Sequence, residues 1–467
     1  MVLCFVACVF PGDPYTDSKD YNKSSFESRT FNVQRVDTDV WYTLSASKLA
    51  EGSHCIVFVS DVELGSVSVS LASYIAAEYD AQIYSAMSSV FGDYIGKGFD
   101  VDGNGKTILL LLDIQDGYSG SGGYVGGYFD PNHMYNVSTY SRSNQADMLF
   151  IDVNPQSPRS MGFYVTLAHE LQHLINFAMH DGYPQETWLN EGLSSAAEYL
   201  YGGHQVSRVN YFNSDPKGTI AHGNNFFVWN GYWEKDGDDS LANYATVYLF
   251  FQWLRIHFGG TGIYSAISNS SESGYQALTQ AVKGQSVKGQ ISNITETDDA
   301  EIWRQILSSW MIANYQNDPL STSRYGYKGE LKTSLATVSS STQVDLYPGE
   351  GVFSVETQTQ TQTQTGNIYY EEISTSFAGS TGKSVSGTVL LSYNANPNPA
   401  GSSEKAYVYP PATGQSLTQE TATAAGRSVL SPESAALPQS YPIGAHDLRF
   451  SRSAAEPGLS PEGALPR

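Results

Sequence analysis

Within the stretch TLAHELQHLINF, Thr166 to Phe177, two histidines stand four apart with a glutamate beside the first. On a helix, residues four apart project from one face, so His169 and His173 can each aim a ring nitrogen at a point about 2.0–2.1 Å away, the length of a zinc–imidazole bond. Glu170 is offset by one residue. That offset keeps it off the ion and places it beside an ion-bound water. The same spacing also arises between two hydrogen-bonded core histidines. Against that reading, Glu170 is the sole Asp, Glu, Lys or Arg between Met161 and His180, and a carboxylate in so apolar a helix is costly to bury without a purpose. The chemistry expected here is a metal site with an adjacent base.

A catalytic zinc site usually has three protein ligands and one open position. A third histidine in the pattern H-E-x-x-H-x-x-G-x-x-H would need glycine at 176 and histidine at 179, where the chain has Asn176 and Met179; His180 is one residue off. The stretch ETWLNEGLSSAAEYLYGG offers carboxylates instead. Glu191 and Glu198 are seven apart, only about 20° different around a helix axis, so both can face the first helix. One can ligate while the other orients a ligand histidine. A solvated acidic helix is the alternative, opposed by Leu193, Ala196, Ala197 and Leu200 on the same segment. Glu186 is the next carboxylate in line.

HELQH followed by WLNEGLSSAAEYL resembles the gluzincin metallopeptidases, in which the third zinc ligand is the glutamate of an Asn-Glu pair. WLNEG is similar to the aminopeptidase N-type enzymes, and the span from about Cys55 to Tyr201 is most similar to the hyicolysin-type bacterial neutral metallopeptidases. The resemblance implies one catalytic zinc ion held by His169, His173 and Glu191, with Glu170 as general base. It also implies a two-lobed α+β fold, an N-terminal β-rich lobe and a C-terminal helical lobe, divided near Pro155. The segment NYATVYLFFQWL resembles the helix whose first tyrosine donates to the oxyanion, which gives Tyr244 that role. The usual Lys-Gly after the tyrosine is absent, Tyr248 lies one turn on, and His222 in IAHGNNFF is a second candidate donor. No Gly-x-Met-Glu-Asn segment is present to hold a free α-amine, and the gap from the second histidine to the glutamate is one residue shorter than in the aminopeptidases. Internal cleavage of a peptide or protein substrate is therefore expected over aminopeptidase activity. The non-enzyme alternative is a surface adhesion protein with an inert peptidase fold, which has no physical need for all four residues.

The elements that must position these groups are legible from pattern. HCIVFVSD, KTILLLLDI and ADMLFIDV read as strands, and Leu71 to Gly92 as a helix ending in glycine. The strand ADMLFIDV is expected to lay its edge along an extended peptide. SGSGGYVGGYFDPN reads as a flexible loop near a substrate. DVDGNGK, Asp100 to Lys106, offers oxygen ligands at alternate positions like the first half of a calcium loop, but position twelve would be Leu111; a Gly-Asn-Gly turn is the plainer reading, with a calcium ion as the alternative. Helices are expected to start at Ser157–Pro158 and to stop at Gly202–Gly203 and Gly259–Gly260.

The domain organisation follows as residues 1–26, an export or lipoprotein-like segment and linker; 27–156, an N-terminal α+β lobe; 157–330, a helical zinc-binding lobe; 331–395, a small β-rich region with the Thr-Gln repeat of ETQTQTQTQTG; and 396–467, a disordered tail. That tail holds ten of the 19 prolines.

Composition sets outer bounds. With 467 residues, 40% hydrophobic and 13% aromatic, the chain can bury a large core across more than one unit. A formal charge of -22 opposes nucleic-acid binding, which needs a positive surface. Three cysteines, Cys4, Cys8 and Cys55, are too few for a disulfide framework or a thiolate zinc cluster, so nitrogen and oxygen must hold any metal. MVLCFVACVFPGDP is apolar but too short to span a bilayer, which needs about 20 residues. It resembles the end of a secretory segment, and FVAC a loose lipobox with Cys8 as the lipidated residue. An extracellular or cell-surface bacterial protein is expected.

Overall fold

The computed structural model describes residues 26–120, 123–183, 185–223, 226–229, 240–284, 298–338, 343–356, 364–373, 388–407 and 447–451. By packing these fall into two units. The first comprises residues up to 185, residues 193–205 and the short strand at 447–451; the second comprises 186–192 and 206–407.

The first unit is built on a mixed sheet. Strands β1 (Ser28–Gln34), β2 (Trp41–Glu51) and β3 (Cys55–Ser60) pair in succession, β1 with β2 and β2 with β3, both antiparallel. Helix α1 (Val69–Glu78), a π-helical turn (Tyr79–Tyr84) and α2 (Ser85–Phe91) then carry the chain across to β4 (Thr107–Leu112), which lies parallel to β3. Ser68 caps α1 by accepting the Leu71 amide at 3.1 Å, and Gly92 ends α2 at a φ of 113°, a backbone that favours glycine. Strand β5 (Gly123–Tyr128) and β6 (Met148–Asp152) follow, and β13 (Asp447–Ser451) pairs with β5, giving the order β1-β2-β3-β4-β6-β5-β13. All six residues of β4, TILLLL, are buried, as an interior strand covered on both faces requires. One face of the sheet forms an apolar cluster around Phe31, Phe58, Leu110, Tyr128 and Phe150. Helix α3 (Met161–Met179) packs against β5 and β6, and α4 (Thr187–Gly202) follows it.

The second unit holds helices α5 (Val206–Ser214), α6 (Ser240–His257), α7 (Gly262–Ser268), α8 (Gly274–Gly284) and α9 (Asp299–Gln316). Two small sheets come after them. Strands β7 (Gln343–Leu346), β8 (Gly351–Glu356), β9 (Gln364–Thr365), β10 (Ile368–Ile373), β11 (Thr388–Asn394) and β12 (Glu404–Tyr407) pair in the orders β8-β11-β10-β9 and β12-β7. An aromatic core of Trp188, Phe226, Phe227, Phe250 and Trp303 ties the helices together; Phe226 and Phe250 stack at 4.1 Å. Gly192 is required for this packing. A β-carbon there would overlap the Phe251 ring of α6.

The expected α+β class is borne out: an N-terminal sheet, helices in the middle and small C-terminal sheets. The strands read at HCIVFVSD, KTILLLLDI and ADMLFIDV are β3, β4 and β6. Other local expectations are corrected. Strand β6 is not an edge, because β4 and β5 flank it on its two sides, so it has no free edge to offer a peptide. The glycine-rich segment expected as a loop contributes β5, where glycine permits close approach of the neighbouring helix. Helix α3 starts at Met161 rather than at Ser157. Ser157 accepts the Ser160 amide in a turn, and Ser160 is the cap, accepting from the Phe163 amide at 3.3 Å. Within 396–467, where composition suggests no core, Glu404–Tyr407 and Asp447–Ser451 are strands. Residues 1–25, with Cys4 and Cys8, most of the Thr-Gln repeat, and residues 408–446 and 452–467 of the tail lie outside the described residues. Among the described residues no helix is long and apolar enough to cross a membrane.

Candidate metal centre

Helix α3 is buried without a break from Phe163 to Ala178, so its polar side chains must be satisfied inside the protein. His169 and Glu170 are fully buried and His173 is 1% exposed. The two imidazoles lie edge to face with centroids 4.7 Å apart, as two rings one helical turn apart on one face should. Helix α4 is buried from Trp188 to Glu198. It presents Glu191, fully buried, so that one ligand atom each from His169, His173 and Glu191 lie within 4.8 Å of one another.

The partners of the two rings fix which nitrogen each can offer. His169 Nδ1 lies 2.9 Å from Glu198 Oε1, an acceptor when ionised, so Nδ1 carries the proton and Nε2 keeps its lone pair. His173 Nδ1 lies 3.0 Å from Ser194 Oγ. The Ser194 hydroxyl already donates to Gln172 Oε1 at 2.5 Å, so it must accept from Nδ1–H, and Nε2 is again the nitrogen left with a lone pair. Of the two carboxylates seven apart on α4, Glu191 is the one in the cluster and Glu198 the one behind it.

The sheet approaches the same helix closely. A β-carbon on Gly127 of β5 would lie 2.8 Å from Thr166 Cγ2 and 3.1 Å from Glu170 Cγ. Thr166 is itself held, donating to Gly162 O at 2.9 Å and accepting from Gln156 Nε2 at 3.0 Å. Glycine at this position lets β5 press against the turn of α3 that carries Glu170.

Other residues singled out from the sequence lie in different surroundings. Glu186 accepts from Trp188 Nε1 at 2.6 Å, and burial raises its pKa against that bond. His180 caps α3, its Nδ1 at 2.7 Å from Asn176 O. Tyr244 is fully buried on α6; its ring packs edge-on to Trp229 at 5.1 Å and lies under the Arg208 guanidinium at 5.0 Å. Tyr248, one turn on, is buried too. His222 is exposed, with Nδ1 at 2.6 Å from Gly218 O. Three residues that matter here escape sequence reading: Ser194, Gln172 and Gly127. The glycine is one of several in a glycine-rich segment, so its own position does not stand out; the serine and glutamine carry no signal.

No family model matches the chain. The chain is similar to the neutral metalloprotease ShpI of Staphylococcus hyicus, with 30% identity over 280 residues, 56% of this chain and 59% of that protein. The match thus spans less than two thirds of the relative's length. On that similarity, and with His169, His173 and Glu191 gathered as a site that could hold zinc, the chain resembles the hyicolysin-type gluzincin metallopeptidases.

Proposed function

We propose that this protein is a zinc metallopeptidase that cleaves peptide bonds inside protein substrates. The observation that carries the reading is the donor set: two buried imidazoles whose Nδ1 atoms are already engaged, together with a buried carboxylate, all within 4.8 Å. Two nitrogens and one oxygen are a fitting set for a borderline cation such as zinc, and three protein ligands leave a position open. The similarity to a neutral metalloprotease supports the same activity.

In this reading His169, His173 and Glu191 hold the ion, which when bound supplies Lewis acidity and makes water acidic enough to be deprotonated near neutral pH. Glu170, adjacent to His169 but displaced around the helix, takes the proton of the attacking water. The water oxygen bonds to the scissile carbonyl carbon, the C–N bond breaks, and Glu170 returns the proton to the leaving amine. Glu198 and Ser194 hold the two rings in orientation and tautomer. Tyr244 is assigned the oxyanion donor on the resemblance of its helix. Endopeptidase action rests on the missing α-amine site. Export, with Cys8 as a lipid attachment point, rests on the first residues of the sequence alone.

The test is zinc content measured alongside cleavage of an unfolded protein, with and without a chelator, and of a peptide with a free or blocked N-terminus. One zinc per chain, chelator-sensitive cleavage and indifference to the block are expected. Loss of cleavage on blocking the N-terminus would make the enzyme an aminopeptidase. Zinc binding without any cleavage would leave only the inert fold.

A further inference from the structure

We propose that Asp100, Asp102 and Asp147 form a calcium site in the first unit, independent of the peptidase reading. One carboxylate oxygen from each lies within 4.8 Å of the others. Asp100 and Asp102 belong to the turn before β4, whose Asp-x-Asp-x-Asn spacing begins a calcium loop but places Leu111, fully buried in β4, where such a loop needs its last carboxylate. Strand pairing supplies a substitute. The Ile108 amide donates to Asp147 O at 2.9 Å, which brings the residue just before β6 alongside the start of β4 and its carboxylate to the turn.

Asp147 itself is what points to a ligand. It is fully buried. Its Oδ2 accepts from the Tyr94 hydroxyl at 2.7 Å, and that hydroxyl also lies 2.6 Å from Thr107 Oγ1, so one side of the carboxylate is fixed by a buried network. Its Oδ1 is buried and has no hydrogen-bond partner among the described residues. A carboxylate oxygen in that state costs the desolvation of an unmet acceptor unless a cation meets it. Of the two cations nearby among the described residues, Lys106 is committed elsewhere and Arg29 pairs only loosely with the cluster. Lys106 Nζ binds Glu51 Oε1 and Gly52 O at 2.5 and 2.8 Å. Arg29 stands off at 3.9 Å from Asp102 Oδ2 while its Nη2 donates to Asn144 O at 2.8 Å. One guanidinium beside three carboxylates leaves the cluster negative.

All-oxygen donors from a turn, where Asp100 and Asp102 also accept from the Asn104 and Gly105 amides, and from a fixed strand suit calcium, which accepts irregular shells, over zinc, which favours nitrogen and sulfur, and over magnesium, which needs near-octahedral geometry. With Asp102 exposed and three protein carboxylates, affinity should fall in the range of extracellular modules, about 10⁻⁴–10⁻³ M.

The test titrates the full chain with calcium chloride in the presence of zinc, reading heat of binding and the thermal unfolding midpoint. One calcium per chain and a rising midpoint are expected, since a ligand bound only by the folded state stabilises it. The double variant Asp100→Asn with Asp102→Asn, on the outer side of the cluster, should fold, keep its zinc and lose the calcium response. Asp147→Asn should lose it too; if that variant does not fold, the double variant decides. No response up to about 10 mM, well above that range, or a double variant that binds calcium as the parent does, overturns the proposal.

Discussion

The two clusters that could hold a metal differ in nearly every physical respect. His169, His173 and Glu191 sit on helices, all buried, and both rings are pinned from behind by Glu198 and Ser194. Asp100, Asp102 and Asp147 combine a turn with the start of a strand, and their exposure runs from exposed to buried. Helices give fixed spacing, so a site of few, directional nitrogen ligands can be written into a short stretch of sequence. A turn gives oxygen donors without fixed direction, and needs a distant strand to complete the set. The first arrangement suits an ion whose geometry matters for chemistry, the second an ion whose charge matters for folding.

The largest effect expected is at the helix-borne cluster. Glu191→Ala should lose both zinc and cleavage, because two histidines alone do not make a stable catalytic site. A variant with full zinc occupancy would move the third ligand elsewhere and remove the contrast drawn above. Glu170→Gln separates binding from chemistry: zinc should stay, while the rate falls by about 10²–10⁴, the usual worth of a general base. Activity within a few fold of the parent would end that assignment.

Tyr244→Phe comes next. If the hydroxyl donates to the oxyanion, kcat should fall by about 10²–10³ with KM little changed and zinc retained. If Tyr244 only packs against Trp229 and Arg208, phenylalanine fits the same space and the rate hardly moves. Tyr248→Phe and His222→Ala, measured beside it, show whether the role lies with either of them.

The contrast between the clusters also explains what could be read from the sequence. HELQH and WLNEG put their residues on two faces of two helices, and 3.6 residues per turn does the rest. Strands β3, β4 and β6 were legible as dense apolar runs between turn residues. Their order was not. That β5 pairs beyond β6, closing what reads as an edge, depends on a contact between segments that local pattern does not encode. The same holds for Asp147, whose link to the DVDGNGK turn exists only through the β4–β6 pairing. Ser194 and Gln172 were illegible for a different reason: a serine and a glutamine on buried helices carry no spacing signature, and their value lies wholly in what faces them.

The smallest effects test the pins behind the two histidines, and they separate charge from geometry. Glu198→Gln keeps the shape of the side chain and can still accept from His169 Nδ1–H, but removes the carboxylate; zinc affinity should fall by about 10–100-fold, the usual cost of losing such a partner. Ser194→Ala removes a neutral hydroxyl from His173 Nδ1 and frees Gln172 Oε1. A neutral hydrogen bond is worth about 1 kcal/mol net, against about 1.5–3 for one to a charged group, so the fall should be about fivefold, smaller than for Glu198→Gln. Both proteins should keep their fold, since each change lies on one side chain of α4. Competition with a zinc-sensitive dye measures the two affinities on the same scale. Equal losses would mean that orientation of the rings, and not the charge behind them, sets zinc affinity; a larger loss for Ser194→Ala would place the dominant pin on His173.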